Sequence, residues 1–137
     1  MRQVAIFSDI HANLPALQAV LNDMDQRGLD KRYCLGDLVG YGTFPNEVIA
    51  IIREQNIPTI MGNYDQGVGN SSDDCGCAYK TAAEEALGKR SIAWSNAHTT
   101  DENKAFLRNL PPQIWVELGA LRVCLAHGSP RKINEYL

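Results

Sequence analysis

The sequence predicts an α/β domain in which parallel strands come first and an antiparallel hairpin follows. Short apolar runs at residues 4–7, 32–35 and 59–61 have the length and composition of buried strands. Helical patterns separate these runs, and strand–helix–strand crossovers of this kind favour parallel pairing with right-handed connections. The last two apolar runs, at residues 114–118 and 121–126, are separated by Gly119-Ala120, which is typical of a tight antiparallel hairpin.

The first strand is followed by a helix with clear start and stop signals. Asn13 can cap it, Pro15 fits its first turn, and Gly28 ends it. Its apolar stripe consists of Leu14, Leu17, Val20, Leu21 and Met24.

After the second strand, a glycine-rich loop leads to a second helix that Pro45 opens. Its apolar stripe consists of Val48, Ile49, Ile51 and Ile52. The third strand follows at residues 58–61. From Gly67 to Gly76 the composition turns to Gly, Asn, Ser and Asp, which predicts a surface loop rather than a folded segment.

Two more helices precede the hairpin. Residues 81–97 are rich in Ala, Glu, Leu and Lys, which are good helix formers. Thr100 starts another helix that runs through Leu107, and Pro111-Pro112 ends it.

Length and charge limit the functional classes. The 137 residues, 45% of them hydrophobic, suffice for one core, so we expect a single domain over residues 1–137. A net charge of -3 without a run of Lys and Arg argues against nucleic-acid or anionic-membrane partners. Neither a signal-peptide pattern nor a membrane-spanning apolar segment is found, so we expect a cytoplasmic protein.

The cysteines favour packing over metal binding. Cys34 and Cys124 lie within strand patterns and are expected to be small buried hydrophobes. Cys75 and Cys77 have C-x-C spacing and no second C-x-x-C, so a reduced loop pair is favoured over a structural zinc site.

Clusters of polar residues follow the apolar runs directly. They are Ser8-Asp9-Ile10-His11, Gly36-Asp37, Gly62-Asn63-Tyr64-Asp65 and Ala126-His127-Gly128. In α/β sheets this carboxyl edge is where ligands bind. Carboxylate, amide and imidazole groups gathered there would suit Mn²⁺, Fe or Zn²⁺ better than an all-oxygen Mg²⁺ or Ca²⁺ site.

Each of these residues also has an ordinary explanation when it is taken alone. Asp9 and His11 would project to the same side if the chain were extended there. Asp37 and Asn63 follow glycines and suit turns, and His127 could be a cap or an exposed histidine. Their joint placement at one sheet edge favours the metal site.

The motifs S-D-I-H, G-D-L-V-G-Y-G, G-N-Y-D and A-H-G-S resemble, in order and separation, the signatures of the calcineurin-like metallophosphoesterases. The resemblance runs from Val4 to about Pro130 and is strongest to the small bacterial and archaeal phosphodiesterase-like branch. It implies a metallophosphoesterase-type αββα sandwich and a hydrolase of small phosphate esters, most of all phosphodiesters. A water or hydroxide bridging two divalent metal ions would attack. Mn²⁺ is the expected metal, with Fe, Zn²⁺, Ni²⁺ and Co²⁺ as alternatives.

The same resemblance implies roles for individual residues. Asp9, His11 and Asp37 would hold one ion, while Asp37, Asn63 and His127 would hold the other. Asp37 would therefore bridge the two ions of a dinuclear site.

Other residues would act around the ions. Asp65 would support catalysis by hydrogen-bonding neighbouring ligands, and Asn63 would contact the substrate phosphate. Arg131 is a further candidate for a phosphate contact, although a surface arginine is the favoured explanation for it. Tyr64 stands where the family usually has a catalytic histidine. Because a phenol is a poorer proton donor than imidazolium at neutral pH, diesters and good leaving groups are expected.

A second departure is that the family's later G-H-x-H pair of metal ligands does not occur in these 137 residues. The sequence therefore indicates an N-terminal portion of a truncated sandwich, weakly active or inactive as given. His98 is not expected to replace a missing ligand.

Other functions stay open. The main alternative to a hydrolase is a non-catalytic protein-interaction scaffold that retains the phosphoesterase fold. A mononucleotide-binding domain ranks last because no glycine-rich phosphate-binding motif follows any strand. The uncovered edge of the hairpin at residues 113–126 predicts self-association.

Overall fold

Five helices and four strands form the part of the chain described by the computed structural model, residues 3–135. In chain order they are β1 (Ala5–Phe7), α1 (Leu14–Gln26), β2 (Arg32–Cys34), α2 (Pro45–Glu54), α3 (Asn63–Gly69), α4 (Ala82–His98), α5 (Asp101–Arg108), β3 (Gln113–Leu118) and β4 (Leu121–Ala126). None of these helices is both long and apolar enough to cross a membrane. The parallel strands, crossover helices and terminal hairpin confirm the predicted mixed α/β architecture.

The parallel pair is β1 with β2, in a register that places Phe7 beside Cys34. The predicted third strand is reduced to a single bridge, in which Thr59 pairs with Cys34. Pro58 has no amide hydrogen to donate to β2, and beyond the bridge the Met61 amide faces the other way and donates to the Pro111 carbonyl at 2.8 Å. The ladder therefore ends after one residue pair, although the segment still lies beside β2.

Helices α1 and α2 supply much of the core. The Asn13 side chain accepts a hydrogen bond from the Ala16 amide at 3.1 Å and caps α1 as predicted. The buried stripe residues are Leu17, Leu21 and Met24 on α1, and Val48, Ile49 and Ile52 on α2. Val20 was assigned to the first stripe but is 40% exposed, so the buried face of α1 is narrower than predicted.

The predicted loop from Gly67 to Gly76 is wrong at its start, because α3 continues through Gly69. At Gly69 an added Cβ would lie 3.2 Å from the Arg108 amide nitrogen and from the Leu107 Cβ. Because Gly69 has no side chain, α3 can approach α5 closely. This tertiary contact outweighs the poor helix propensity of glycine. Residues 70–76 form the loop that was predicted.

The next two helices begin close to the predicted positions, and a threonine caps each of them. Thr81 Oγ1 accepts a hydrogen bond from the Glu84 amide at 3.2 Å, and Thr100 Oγ1 accepts one from the Asn103 amide at 3.3 Å. His98 ends α4, where its ring stacks on Trp94 with the centroids 3.9 Å apart. Each cap satisfies one amide that the helix itself leaves without a partner.

The hairpin pairs β3 with β4 in the predicted antiparallel register, with Leu118 opposite Leu121. Val116 and Leu125 are buried on one face, while Trp115 is 50% exposed on the other. The Arg122 guanidinium covers the Trp115 ring at 4.6 Å from its centroid. Within residues 3–135 these two strands form a sheet of their own, so both outer edges lack a partner strand.

Cys34 is buried as predicted, and burial raises the pKa of its thiol to about 12. Cys124 is only half-buried, because its face of the hairpin is partly open.

Two glycines with left-handed backbone give a matched pair for testing close packing. Gly36, between β2 and the following loop, has φ 92°, and a Cβ there would lie 2.7 Å from the Ile60 carbonyl oxygen and 2.8 Å from the Gly62 Cα. Gly119, in the hairpin turn, has φ 66° and nothing within 4 Å of an added Cβ.

Gly119→Ala should lower the free energy of unfolding by about 1 kcal/mol, from backbone strain alone. Gly36→Ala adds overlap with a neighbouring backbone and should cost about 3 kcal/mol or more. Urea denaturation of both variants measures the difference. Equal losses would show that the loops around Gly36 are not closely packed.

We also expect the chain to self-associate through the hairpin, because unpaired strand edges with apolar side chains recruit another chain. Sedimentation velocity should show dimers at micromolar concentration. Leu121→Lys, at a residue 68% exposed on β4, should weaken the association, whereas Leu87→Lys, at a residue 64% exposed on α4, should not. A monomer at every concentration would contradict the expectation.

Candidate metal centre

The five residues predicted to bind metal lie on four segments that meet at one end of the parallel strands. Asp9 and His11 follow β1, Asp37 follows β2, Asn63 is the first residue of α3, and His127 follows β4. The structure brings all five side chains to this place, although His127 is 90 residues beyond Asp37 in sequence.

The loops after β1 and β2 run side by side beyond the strands. The Asp9 amide donates to the Gly36 carbonyl at 3.0 Å, and the His11 amide donates to the Asp37 carbonyl at 2.9 Å. These backbone hydrogen bonds set the spacing between Asp9, His11 and Asp37 without any contribution from side chains.

The chain is not extended at these positions, contrary to the assumption made for Asp9 and His11. Their φ angles are 55° and 49°, and that of Asp37 is 55°, all in the left-handed region. Of the seven non-glycine residues with positive φ in residues 3–135, five lie on the two loops, namely Asp9, His11, Ala12, Asp37 and Tyr41. Such strain is typical of segments that hold functional side chains in fixed positions.

Asp37 lies at the centre of the cluster. Its Oδ2 is 3.7 Å from His11 Nε2 and 3.6 Å from His127 Nε2. His11 Nε2 is also 3.7 Å from Asp9 Oδ1. One donor atom each from Asp9, Asp37 and His127 lie within 4.8 Å of one another. Cys75 and Cys77 are free cysteines outside this group.

Both imidazoles are oriented by backbone carbonyls. His11 Nδ1 is 3.0 Å from the Val39 oxygen, and His127 Nδ1 is 2.7 Å from the Leu35 oxygen. A carbonyl oxygen can only accept, so each Nδ1 carries the proton and each Nε2 faces the cluster. This arrangement is usual for metal-binding histidines, because it fixes the tautomer with a free Nε2 lone pair.

The Asn63 amide is oriented in the same way. Its Nδ2 donates to the Cys75 carbonyl at 3.0 Å, which turns Oδ1 to a position 3.0 Å from His127 Nε2. With a neutral imidazole, that contact joins two electron-pair donors, and the oxygens of Asp9 and Asp37 add more. A cation among these atoms would balance them, and the nitrogen and oxygen donors fit Mn²⁺, Fe or Zn²⁺.

Burial perturbs the central carboxylate. The pKa of Asp37 is raised to about 6, mainly by burial, while the nearby His127 and a hydrogen bond from the Tyr64 amide act in the opposite direction. A buried anion of this kind is stabilised by a neighbouring positive charge.

Asp65 lies behind the cluster rather than in it. Its carboxylate is fully buried and accepts hydrogen bonds from the amides of Asp37 at 2.7 Å, Leu38 at 2.8 Å and Gly62 at 2.9 Å. Burial and the charge of Asp37 raise the pKa of Asp65 to about 7, whereas the three amides lower it. Asp65 thus joins the loop after β2 to the start of α3.

Of the remaining predicted residues, Tyr64 lines the site and Arg131 lies on the surface. Tyr64 is only 2% exposed, and burial raises the pKa of its phenol well above the ordinary value. Within the described residues its hydroxyl has no hydrogen-bond partner. The Arg131 guanidinium is 2.8 Å from the Glu135 carboxylate on the same surface turn, and Arg131 does not line the cavity at the cluster.

A cavity of about 550 Å³ opens above the cluster. Besides the predicted ligands, its wall includes Tyr41 and Tyr79, which sequence reasoning did not identify. Tyr41 belongs to the G-D-L-V-G-Y-G motif, so its position there was the available signal. Tyr79 lies in a stretch without a motif, and only the packing of the chain places it at the cavity.

Comparisons with known proteins agree with this geometry. Residues 1–136 match the family profile described as the calcineurin-like phosphoesterase superfamily domain. An uncharacterized protein from Methanocaldococcus jannaschii is 42% identical over 137 residues, covering 98% of this chain and 53% of that protein.

Two solved structures are similar as well. A hypothetical protein from Pyrococcus horikoshii OT3 has a TM-score of 0.77 and 27% identity, over 96% of this chain and 57% of its own. A metallophosphoesterase from Sphaerobacter thermophilus has a TM-score of 0.69 and 32% identity, over 98% and 50% respectively. The chain thus spans about half the length of the relatives it matches.

Replacing Asp65 tests whether its carboxylate holds the site together. Asp65→Asn would aim an amide NH₂ at backbone donors and should lower the free energy of unfolding by about 3 kcal/mol. Asp73→Asn, at an exposed acidic residue, is the matched control and should change it by less than about 0.5 kcal/mol. Urea unfolding of both variants provides the measurement, and similar stabilities would refute this role of Asp65.

Proposed function

This chain belongs to the calcineurin-like phosphoesterase superfamily, and from that premise we propose that it carries the metal-binding half-site of a phosphodiester hydrolase. The observation that supports this most directly is the convergence on Asp37 of two histidine Nε2 atoms, at 3.6 and 3.7 Å. Hydrogen bonds from both Nδ1 atoms to backbone carbonyls turn these two Nε2 atoms towards the carboxylate, which is the orientation that metal-binding histidines use.

We propose a dinuclear site with Asp37 as the shared ligand. Asp9 and His11 would complete the protein ligands of one ion, and Asn63 and His127 those of the other. Divalent ions bound there would supply positive charge that polarises a phosphoryl oxygen and acidifies water. Mn²⁺ is the first candidate, because the mixed nitrogen and oxygen donors suit it, and Fe, Zn²⁺, Ni²⁺ and Co²⁺ share that preference.

The chain's own side chains would favour particular esters. Tyr64 is buried and its phenol is a weak acid, so it is a poor donor of a proton to a departing alkoxide. Esters with acidic leaving groups need no such donor. We therefore propose phosphodiesters and activated esters as the preferred substrates.

Turnover by these 137 residues should be slow. The family resemblance implies one further histidine per ion, and no G-H-x-H motif occurs in the sequence. With fewer ligands, each ion would be held less firmly and less uniformly.

The proposal is tested by Mn²⁺ titration calorimetry together with Mn²⁺-dependent hydrolysis of bis(p-nitrophenyl) phosphate. Asp37→Asn should weaken Mn²⁺ binding by about 100-fold or more and abolish turnover, since it removes the shared charge. The control Asp73→Asn also removes one negative charge, but at the surface, and should behave as the native chain.

The outcomes separate the two candidate functions. Mn²⁺ affinity that is equal in the native chain and in Asp37→Asn would rule out the proposed site. Mn²⁺ binding that depends on Asp37 without any hydrolysis, in this chain and in a form extended through a G-H-x-H motif, would favour a non-catalytic scaffold that keeps the metal centre.

A further inference from the structure

Three tyrosines from distant parts of the chain border the cavity above the metal cluster. The Tyr41 and Tyr64 ring centroids are 4.9 Å apart, and both rings meet His11 edge-on, at 4.8 and 5.1 Å. Tyr79 lines the same cavity from the segment before α4. Tyr64 is buried, whereas Tyr41 is 54% exposed. The accessible aromatic surface of this wall is therefore that of Tyr41 and Tyr79.

Tyr41 has an unfavourable backbone conformation and an aromatic ring that is not fully buried. Its φ of 56° lies in the left-handed region, which a bulky side chain rarely adopts. Its ring is also half-exposed, so burial of the ring does not repay that strain. The Tyr41 amide is held by a hydrogen bond to Ser91 Oγ on α4 at 2.8 Å. Strain that surrounding contacts maintain is typical of binding sites.

Tyr79 packs against Gly88 of α4, which has no side chain. An added Cβ at Gly88 would lie 2.6 Å from the Tyr79 Cε1 atom, so the phenol end of Tyr79 packs directly on the helix backbone. This contact holds the ring at the cavity wall although the preceding segment has no regular secondary structure.

We propose that Tyr41 and Tyr79 form an aromatic subsite that binds a planar aromatic group attached to the substrate phosphate. The subsite would determine specificity among phosphate esters, and this inference rests on the proposed phosphoesterase function. A cavity of about 550 Å³ is large enough for a phosphate at the metal cluster and a ring beside it. Base-to-tyrosine stacking tolerates many ring types, so a nucleobase and a simple aryl group share the required chemistry.

The test compares ligands with and without a ring. In the presence of Mn²⁺, the dissociation constants of AMP, phenyl phosphate and ribose 5-phosphate are measured by calorimetry. For the native chain, AMP should bind about tenfold more tightly than ribose 5-phosphate, which has the same phosphate but no base. Tyr41→Ala and Tyr79→Ala should each reduce this ratio towards one, while Tyr41→Phe should keep it.

Using a ratio within each variant separates stacking from a general loss of phosphate binding, which would weaken both ligands alike. Phe44→Ala is the matched control, because Phe44 is 40% exposed on the same loop but does not line this cavity. Phenyl phosphate binding as tightly as AMP would support a general aromatic subsite, and preference for AMP alone would support a nucleobase subsite.

Two results would overturn the inference. AMP and ribose 5-phosphate binding with equal affinity to the native chain would show that no ring is recognised. A native ratio retained in both Tyr41→Ala and Tyr79→Ala would show that other residues recognise it. If neither Mn²⁺ nor any of the three phosphates binds, the proposed function fails and this inference fails with it.

Discussion

Two buried carboxylates, each bound to the backbone that carries the other, are the constraint on which the site depends. Asp65 accepts amides from Asp37, Leu38 and Gly62, while Asp37 Oδ1 accepts the Tyr64 amide at 2.9 Å. This reciprocal arrangement joins the loop after β2 to the first turn of α3. Because the two acids are buried, the amides replace the water that each carboxylate loses. The position of Asn63 follows from the same hydrogen bonds.

The candidate metal centre gathers oxygen and nitrogen atoms that are electron-pair donors, and holding them close together is unfavourable without a cation. The carbonyl oxygens of Val39 and Leu35 accept hydrogen bonds from the Nδ1 atoms of His11 and His127, so both Nε2 atoms face the carboxylates. Burial raises the pKa of Asp37, which means that the anion is unfavourable without a positive partner. The same hydrogen bonds that make the site unfavourable without a cation orient it for one.

The hairpin extends this design to the far end of the chain. His127 follows β4, yet its Nδ1 binds the Leu35 carbonyl just after β2, at 2.7 Å. The hairpin is therefore attached to the parallel strands through the His127 side chain as well as through its apolar face. Its exposed Trp115 and its unpaired edges show that the surfaces of β3 and β4 are only partly used within the described residues.

The sequence by itself determined the features that depend on neighbouring residues. Helix caps at Asn13, Thr81 and Thr100, the hairpin around Gly119 and the polar clusters after the strands all arise from local conformational preference and short-range periodicity. Contacts between distant segments decided the rest: the Met61 amide donates to the Pro111 carbonyl, and Gly69 lets α3 pack on α5. The left-handed loops that bring Asp9 and His11 to Asp37 belong to this second group. Hydrogen bonds between the two loops help to maintain their strain, and no local pattern encodes these bonds.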